Sequence, residues 1–460
     1  MQFGGQRTDL NLKPLGQPHN ILIKLSDDVL PDPGAIMVTG ITPQQTISEG
    51  INEADFLTIF NEEISIPGTI FIGFNNVRFD DEFMRFLLYR NFYDPYAWQY
   101  KDERSRWDLL DVVRMTRALR PEGINWPTDK DGKATNQLGL LTTMNNLTHD
   151  NAHDALSDVM ASIELAKLIK TKQPKLFDFL LAMRDKKAIA KLVTSGQPFV
   201  YTSGKYPGEF AKTTVAVMLS EHPKRPAALV WDLRQDPEPF LNLSVSQLVE
   251  AWRWSEDKTK VRLPIKTLQY NRCPAVAPLD VIKGEHQAET RQRLGVTSEQ
   301  ITANLKKLAN QSSFVKNVLQ ALDQLDSEQE QRYGSRRPTV DGQLYDGFIP
   351  DHDRPLMERV HQTDPKQFDE LQTAFIDKRL KQLLPLYKAR NFKAALSPEE
   401  HEAWEVYRSH YLMDGGENSR LARYLASIQE YARNPSKRND FLLEELRLWA
   451  ESISPEPSFE

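Results

Sequence analysis

The first third of the chain alternates short apolar runs with apolar residues at helical spacing. Residues 20–25 (Asn-Ile-Leu-Ile-Lys-Leu) predict a strand. Residues 69–74 (Thr-Ile-Phe-Ile-Gly-Phe) predict another, buried on both faces because its apolar run is continuous. Between them, Thr42-Pro43-Gln44-Gln45 has the form of a capping box, with Pro at the first helical position. Phe56, Ile59, Phe60 and Ile64 then recur on one helical face. Further helices are predicted over 81–90, 107–119 and 153–170. Strands followed by helices in this order predict an α/β layer fold.

The pattern then changes twice. From about 199 to 282, runs rich in Val, Leu and Tyr are separated by Pro, Gly and Asp, and 213–219, 227–233 and 261–270 stand out. That is the signature of a small antiparallel barrel or sandwich. The last third is helical, with capping boxes at Thr297-Ser298-Glu299-Gln300 and Ser397-Pro398-Glu399-Glu400. Residues 323–343 are polar and end in Gly and Pro, which predicts a linker or surface crossing, and 454–460 a frayed tail. No internal repeat is present.

Composition narrows the class. A chain of 460 residues with 40% hydrophobic and 27% charged residues suggests two to four domains with real cores. No run of about 18 apolar residues exists, which excludes a helical membrane span. The single Cys273 excludes an intramolecular disulfide and a cysteine zinc cluster. With no basic-then-apolar stretch at Met1–Gly5, a cytoplasmic protein without a secretory leader is expected. The net charge of −6 excludes a globally basic nucleic-acid coat but leaves room for a local basic groove.

Three stretches carry candidate chemistry. Asn75-Asn76-Val77-Arg78-Phe79-Asp80-Asp81-Glu82 sits at the end of the second predicted strand and opens a helix. The carboxyl edge of a sheet is where α/β proteins place ligands, although acids there also complement a helix dipole. His153-Asp154-Ala155-Leu156-Ser157-Asp158 opens the next helix. Asp158 falls beside the stripe of Leu156, Val159, Met160 and Ile163, but the i, i+4 spacing leaves open whether Asp154 or Asp158 is a ligand. Acids from separate elements can hold divalent metals, and a histidine near them can take a proton from water. The third stretch interleaves Arg85, Arg90, Tyr93, Tyr96, Trp98, Tyr100, Arg104, Arg106, Trp107 and Arg114. Aromatic faces stack unpaired bases and arginines meet phosphates; the plainer explanation is core packing.

At these residues the chain resembles the bacterial exonuclease I family of single-strand-specific 3′→5′ exodeoxyribonucleases. These are histidine-containing DEDD enzymes on an RNase H-like fold. The matching stretches are 33–44, 73–82, 89–98, 105–112, 118–127 and 151–155, with weaker likeness at 271–274, 343–348 and 387–392. The resemblance implies three domains: an α/β RNase H-like exonuclease domain over 1–173, an SH3-like β-barrel domain over 174–325 and an all-α domain over 326–460. It makes His153 the general base, Asp80 and Asp158 ligands of two Mg²⁺ ions, and Arg85, Tyr96, Tyr100 and Arg114 contacts to single-stranded DNA. It also implies a monomer acting in DNA repair and recombination, with single-stranded-DNA-binding protein as a partner.

Two departures stand out. Gln137 occupies a position where the family carries a basic DNA contact. The family's first motif, Asp-x-Glu on the first strand, has no counterpart before Thr42. The expectation is therefore a chain short of that strand, destabilised by unpaired backbone groups and releasing little mononucleotide. A non-catalytic single-strand binder and an exoribonuclease of the same superfamily are the alternative readings.

Overall fold

The computed structural model describes residues 1–147, 154–253, 255–257, 262–333, 339–434 and 439–455. Strands β1 (Gln2–Gly5) and β2 (His19–Leu22) pair antiparallel, with Phe3 opposite Ile21. Strands β3 (Ile70–Gly73) and β4 (Ser105–Asp108) pair parallel, with Ile72 opposite Trp107. β4 corrects the helix predicted from 107. Trp107 lies in extended backbone and packs edge-on against Phe177, and the helix begins at Leu109, capped by Asp108. Consecutive apolar residues at 107, 109 and 110 fit either period, so pattern alone misplaced the boundary.

Among the described residues the two small sheets do not bond to each other. The free edges of β1 and β3 flank a cavity of about 2230 Å³, walled also by Phe56, Phe60 and Trp98. β3 is therefore not buried on both faces, and Ile72 is 39% exposed. The cavity is large enough to admit water to the polar groups of both edges. The helix Ala155–Lys172 crosses β1 closely: a Cβ on Gly4 would lie 2.5 Å from the backbone of Ala155.

The middle forms one antiparallel sheet from β5 (Phe199–Thr202), β6 (Thr213–Glu221), β7 (Ala227–Asp232), β8 (Ile265–Gln269) and β9 (Ala275–Pro278), in the order β8-β7-β6-β5-β9. One apolar cluster runs from Val112 and Leu165 of the N-terminal helices through Val215 and Trp231 to Phe314. The predicted linker at 323–343 is largely overturned, because a continuous helix spans Ser312–Tyr333. Ala321 and Leu322 bury on one face while the polar residues stay in water, so an amphipathic helix reads as a linker by composition. The expected border between 325 and 326 falls inside this helix.

The C-terminal part is helical, and both predicted capping boxes form, at Thr297 and at Ser397. Thr42 also caps its helix, but the Gln45 side chain turns to Glu49 instead of reciprocating. This part is pinned to the first by buried ions. Arg390 donates to Asp28 at 2.7 Å and to Asp341 at 2.8 Å. Beside it, Arg90 pairs with Glu53, and the Asn391 side-chain Oδ1 accepts from the Ala54 N–H at 3.0 Å. Removing one partner of a buried ion cluster strands the others. Arg390→Ala is therefore expected to lower stability by about 3–5 kcal/mol, read as a fall in the urea midpoint; an unchanged midpoint would show the cluster to be incidental.

Candidate active site

Asp80 is the first residue of the helix Asp80–Arg90, which follows the Asn76–Arg78 turn at the end of β3. Asn75 adopts a left-handed conformation (φ 70°) that reverses the chain there. Asp108, at the end of β4, holds the reversal: its carboxylate accepts from the Asn75 N–H at 2.9 Å and the Val77 N–H at 3.3 Å. The same carboxylate caps its own helix through the Leu110 N–H at 2.9 Å. Two parallel strands thus converge on one turn, and Asp80 emerges from it.

Asp158 reaches the same cleft from the helix Ala155–Lys172. Asp154 and Asp158 have different surroundings. Asp154 caps its helix through the Ser157 N–H at 2.9 Å and accepts from Gln2 at 2.7 Å, whereas Asp158 lines the cavity with Asp80. Loss of water around Asp80 pushes its carboxyl above the ordinary range, and the charge of Asp158 pushes it further. Opposed carboxylates of this kind suit a hard divalent cation, whose charge relieves their repulsion. Among the described residues, no cluster of three or more His, Cys, Asp or Glu surrounds a common point. His153 lies outside the described residues.

The remaining expected contacts divide. Tyr96 and Tyr100 are exposed. Arg85 is buried, with its guanidinium on Glu82 and Gln99 and over the Tyr96 ring. Arg114 and the exposed Gln137 line the cleft. Trp98, Trp107 and Arg106 of the aromatic–basic stretch are buried instead.

Sequence reasoning missed how the first turn of the Asp80–Arg90 helix is held. Arg106 on β4 pairs with the buried Asp81 and also donates to the Asn271 carbonyl, across 165 positions. Glu82 meets Arg272 at 3.7 Å and the Tyr345 hydroxyl at 2.5 Å. The only local hint is a third acid beyond what a helix cap needs.

With the geometry in place, the chain was compared with known proteins. Residues 1–166 match the family described as Exonuclease, 184–324 the Exonuclease I SH3-like domain, and 338–453 the Exonuclease I C-terminal domain. The exodeoxyribonuclease I of Escherichia coli K12 is 38% identical over 464 residues, covering 98% of this chain and 94% of that protein. The chain belongs to the exonuclease I family. A crystal structure of E. coli exonuclease I with a dA16 oligonucleotide superposes with a TM-score of 0.88 at 37% identity, covering 98% of this chain and 95% of the other. A structure of SSB/exonuclease I with the inhibitor CFAM gives a TM-score of 0.84 at 37% identity, with the same coverage. The three expected domains follow in order: exonuclease, SH3-like and C-terminal. The family's exonuclease domain makes the chain a hydrolytic nuclease of a type that uses divalent metals. The expected absence of a first strand gains no support from these matches, which run over nearly the whole of both chains.

Asp108 offers a test of the site's construction. Burial, reinforced by Asp111, raises its pKa from 3.8 to about 6. The folded state then holds this proton more tightly than the unfolded chain. Its contribution to stability is full below about pH 4 and lost as pH rises through about 6. A shift of that size corresponds to roughly 3 kcal/mol. Asp108→Asn should flatten the pH dependence of the denaturation free energy across this window; an unchanged slope would mean that Asp108 ionises freely in the fold.

Proposed function

We propose that the chain degrades single-stranded DNA from its 3′ end, one nucleotide at a time, by hydrolysis at Asp80 and Asp158. The observation that carries this reading is the meeting of those two carboxylates in the cleft, each delivered by a different helix. Asp80 and Asp158 would anchor Mg²⁺, which when bound supplies Lewis-acid stabilisation of charge on the scissile phosphate. Asp108 fixes the turn from which Asp80 projects, and Gln2 with Asp154 fixes the start of the helix that carries Asp158. His153 is the proposed proton acceptor for the attacking water, on the family resemblance alone. Tyr96 and Tyr100 offer exposed rings for base stacking and Arg114 a cation for the backbone. Arg85, buried as it is, contributes chiefly by holding Tyr96 and Glu82 in place.

Single-stranded DNA as substrate and SSB as partner are proposed from the relatives' complexes, with a cytoplasmic role in repair. The non-catalytic binder remains the second reading, because the described residues bring together two carboxylates and no larger cluster.

The deciding assay follows 5′-labelled single-stranded DNA with the full chain and Mg²⁺. Stepwise shortening that stops with a chelator is expected, and Asp80→Asn or Asp158→Asn should slow it by more than about 100-fold, the scale on which catalytic groups act. Tight binding with no shortening by the parent chain would make it a binder. Shortening of RNA in preference to DNA would favour the exoribonuclease.

A further inference from the structure

We infer that Arg78, Arg114 and Lys212 together seat one backbone phosphate of the bound strand, on the seam between the exonuclease and SH3-like domains. The inference rests on the single-strand reading above and extends it to the SH3-like domain, which supplies Lys212 and Gly204.

Three elements converge there. Arg78 ends the turn after β3, Arg114 lies on the Leu109–Leu119 helix, and Lys212 immediately precedes β6. Both arginines lean on one carboxylate: Asp111 accepts from Arg114 at 2.6 Å and lies 3.6 Å from Arg78. Among the described residues no other carboxylate pairs with either arginine, and none pairs with Lys212. Arg78 and Arg114 therefore share one neutralising acid, and Lys212 adds a third positive charge beside Arg114. Burial, and then the positive charge of Arg114, holds the Lys212 ammonium below its ordinary range. Like charges gathered in a partly desolvated place are costly unless an anion joins them.

Two features point to a ligand rather than to a purely structural cluster. The Arg114 Nε is buried and has no hydrogen-bond partner among the described residues. Gly204 leaves room for the guanidiniums: a Cβ there would lie 3.0 Å from one Arg78 nitrogen and 3.1 Å from one Arg114 nitrogen. Lys212 is held on a fixed backbone, its N–H donating to the Pro207 carbonyl at 3.1 Å and its carbonyl accepting from Ser203 at 2.9 Å. Arg114 and Lys212 line the same cleft as Asp80 and Asp158, so a strand entering that cleft passes the seat. A phosphodiester carries one negative charge and acceptor oxygens that arginines engage well.

The test is binding of a short oligothymidylate in the presence of a chelator, followed by fluorescence anisotropy from 50 to 200 mM salt. For single strands each phosphate contact contributes about 0.7 to the slope of log K against log salt. Lys212→Gln and Arg78→Gln should each lower that slope, by up to the ~0.7 that one phosphate contributes, and weaken binding roughly three- to tenfold at low salt. Lys212→Arg should restore both, with all variants melting like the parent. Parent-like slope and affinity in both glutamine variants would overturn the inference while leaving the single-strand reading intact. So would a loss confined to binding of an acidic peptide. A parent chain that binds no oligonucleotide would overturn both.

Discussion

The buried pair between Arg106 and Asp81 is the constraint on which the site depends. Arg106 sits on β4, Asp81 in the first turn of the helix that begins with Asp80, and the same guanidinium reaches the Asn271 carbonyl of the SH3-like domain. Cys273 adds a bond from its thiol to the Arg106 carbonyl at 3.2 Å. Such a pair adds little net stability over an apolar substitute, but displacing either partner leaves a charge without water or a counter-ion. Its effect is to fix register. The helix cannot slide along β4, nor the SH3-like domain turn on its neighbour, without separating these groups.

Around that fixed point the charges are sorted by side of the cleft. Asp80 and Asp158 line one cleft, where the charge of Asp158 raises the Asp80 carboxyl, while Arg78 and Arg114 gather about Asp111. Asp108 serves the turn that carries Asp80. It bonds backbone N–H groups rather than cations, so it orders the turn without cancelling either field. An anionic polymer approaching this surface meets attraction along the seam.

What could be read from the sequence was what local chemistry determines. The boxes at Thr297 and Ser397 and the cap at Thr42 depend on a few neighbouring residues and were legible as written. The family pattern picked out Asp80 and Asp158, and the fold brings both into the lining of one cleft. Period was ambiguous at Trp107, where a four-residue strand runs directly into a helix, and composition misled at 323–333, where one buried stripe serves a mostly solvated helix. Arg106 with Asn271, and Gly204 with Arg78 and Arg114, are separated by ninety positions or more and meet only through folding. No spacing rule anticipates them. The cavity between the two small sheets belongs to the same class, since it is defined by which strand edges fail to meet.

Glu82 gives the domain arrangement a logical character. Its carboxylate joins Arg85 of its own helix, Arg272 of the SH3-like domain and Tyr345 of the C-terminal part. One side chain thus registers the presence of all three bodies, two residues from Asp80. The first turn of that helix is therefore where contacts from all three bodies converge, as a conjunction rather than a sum.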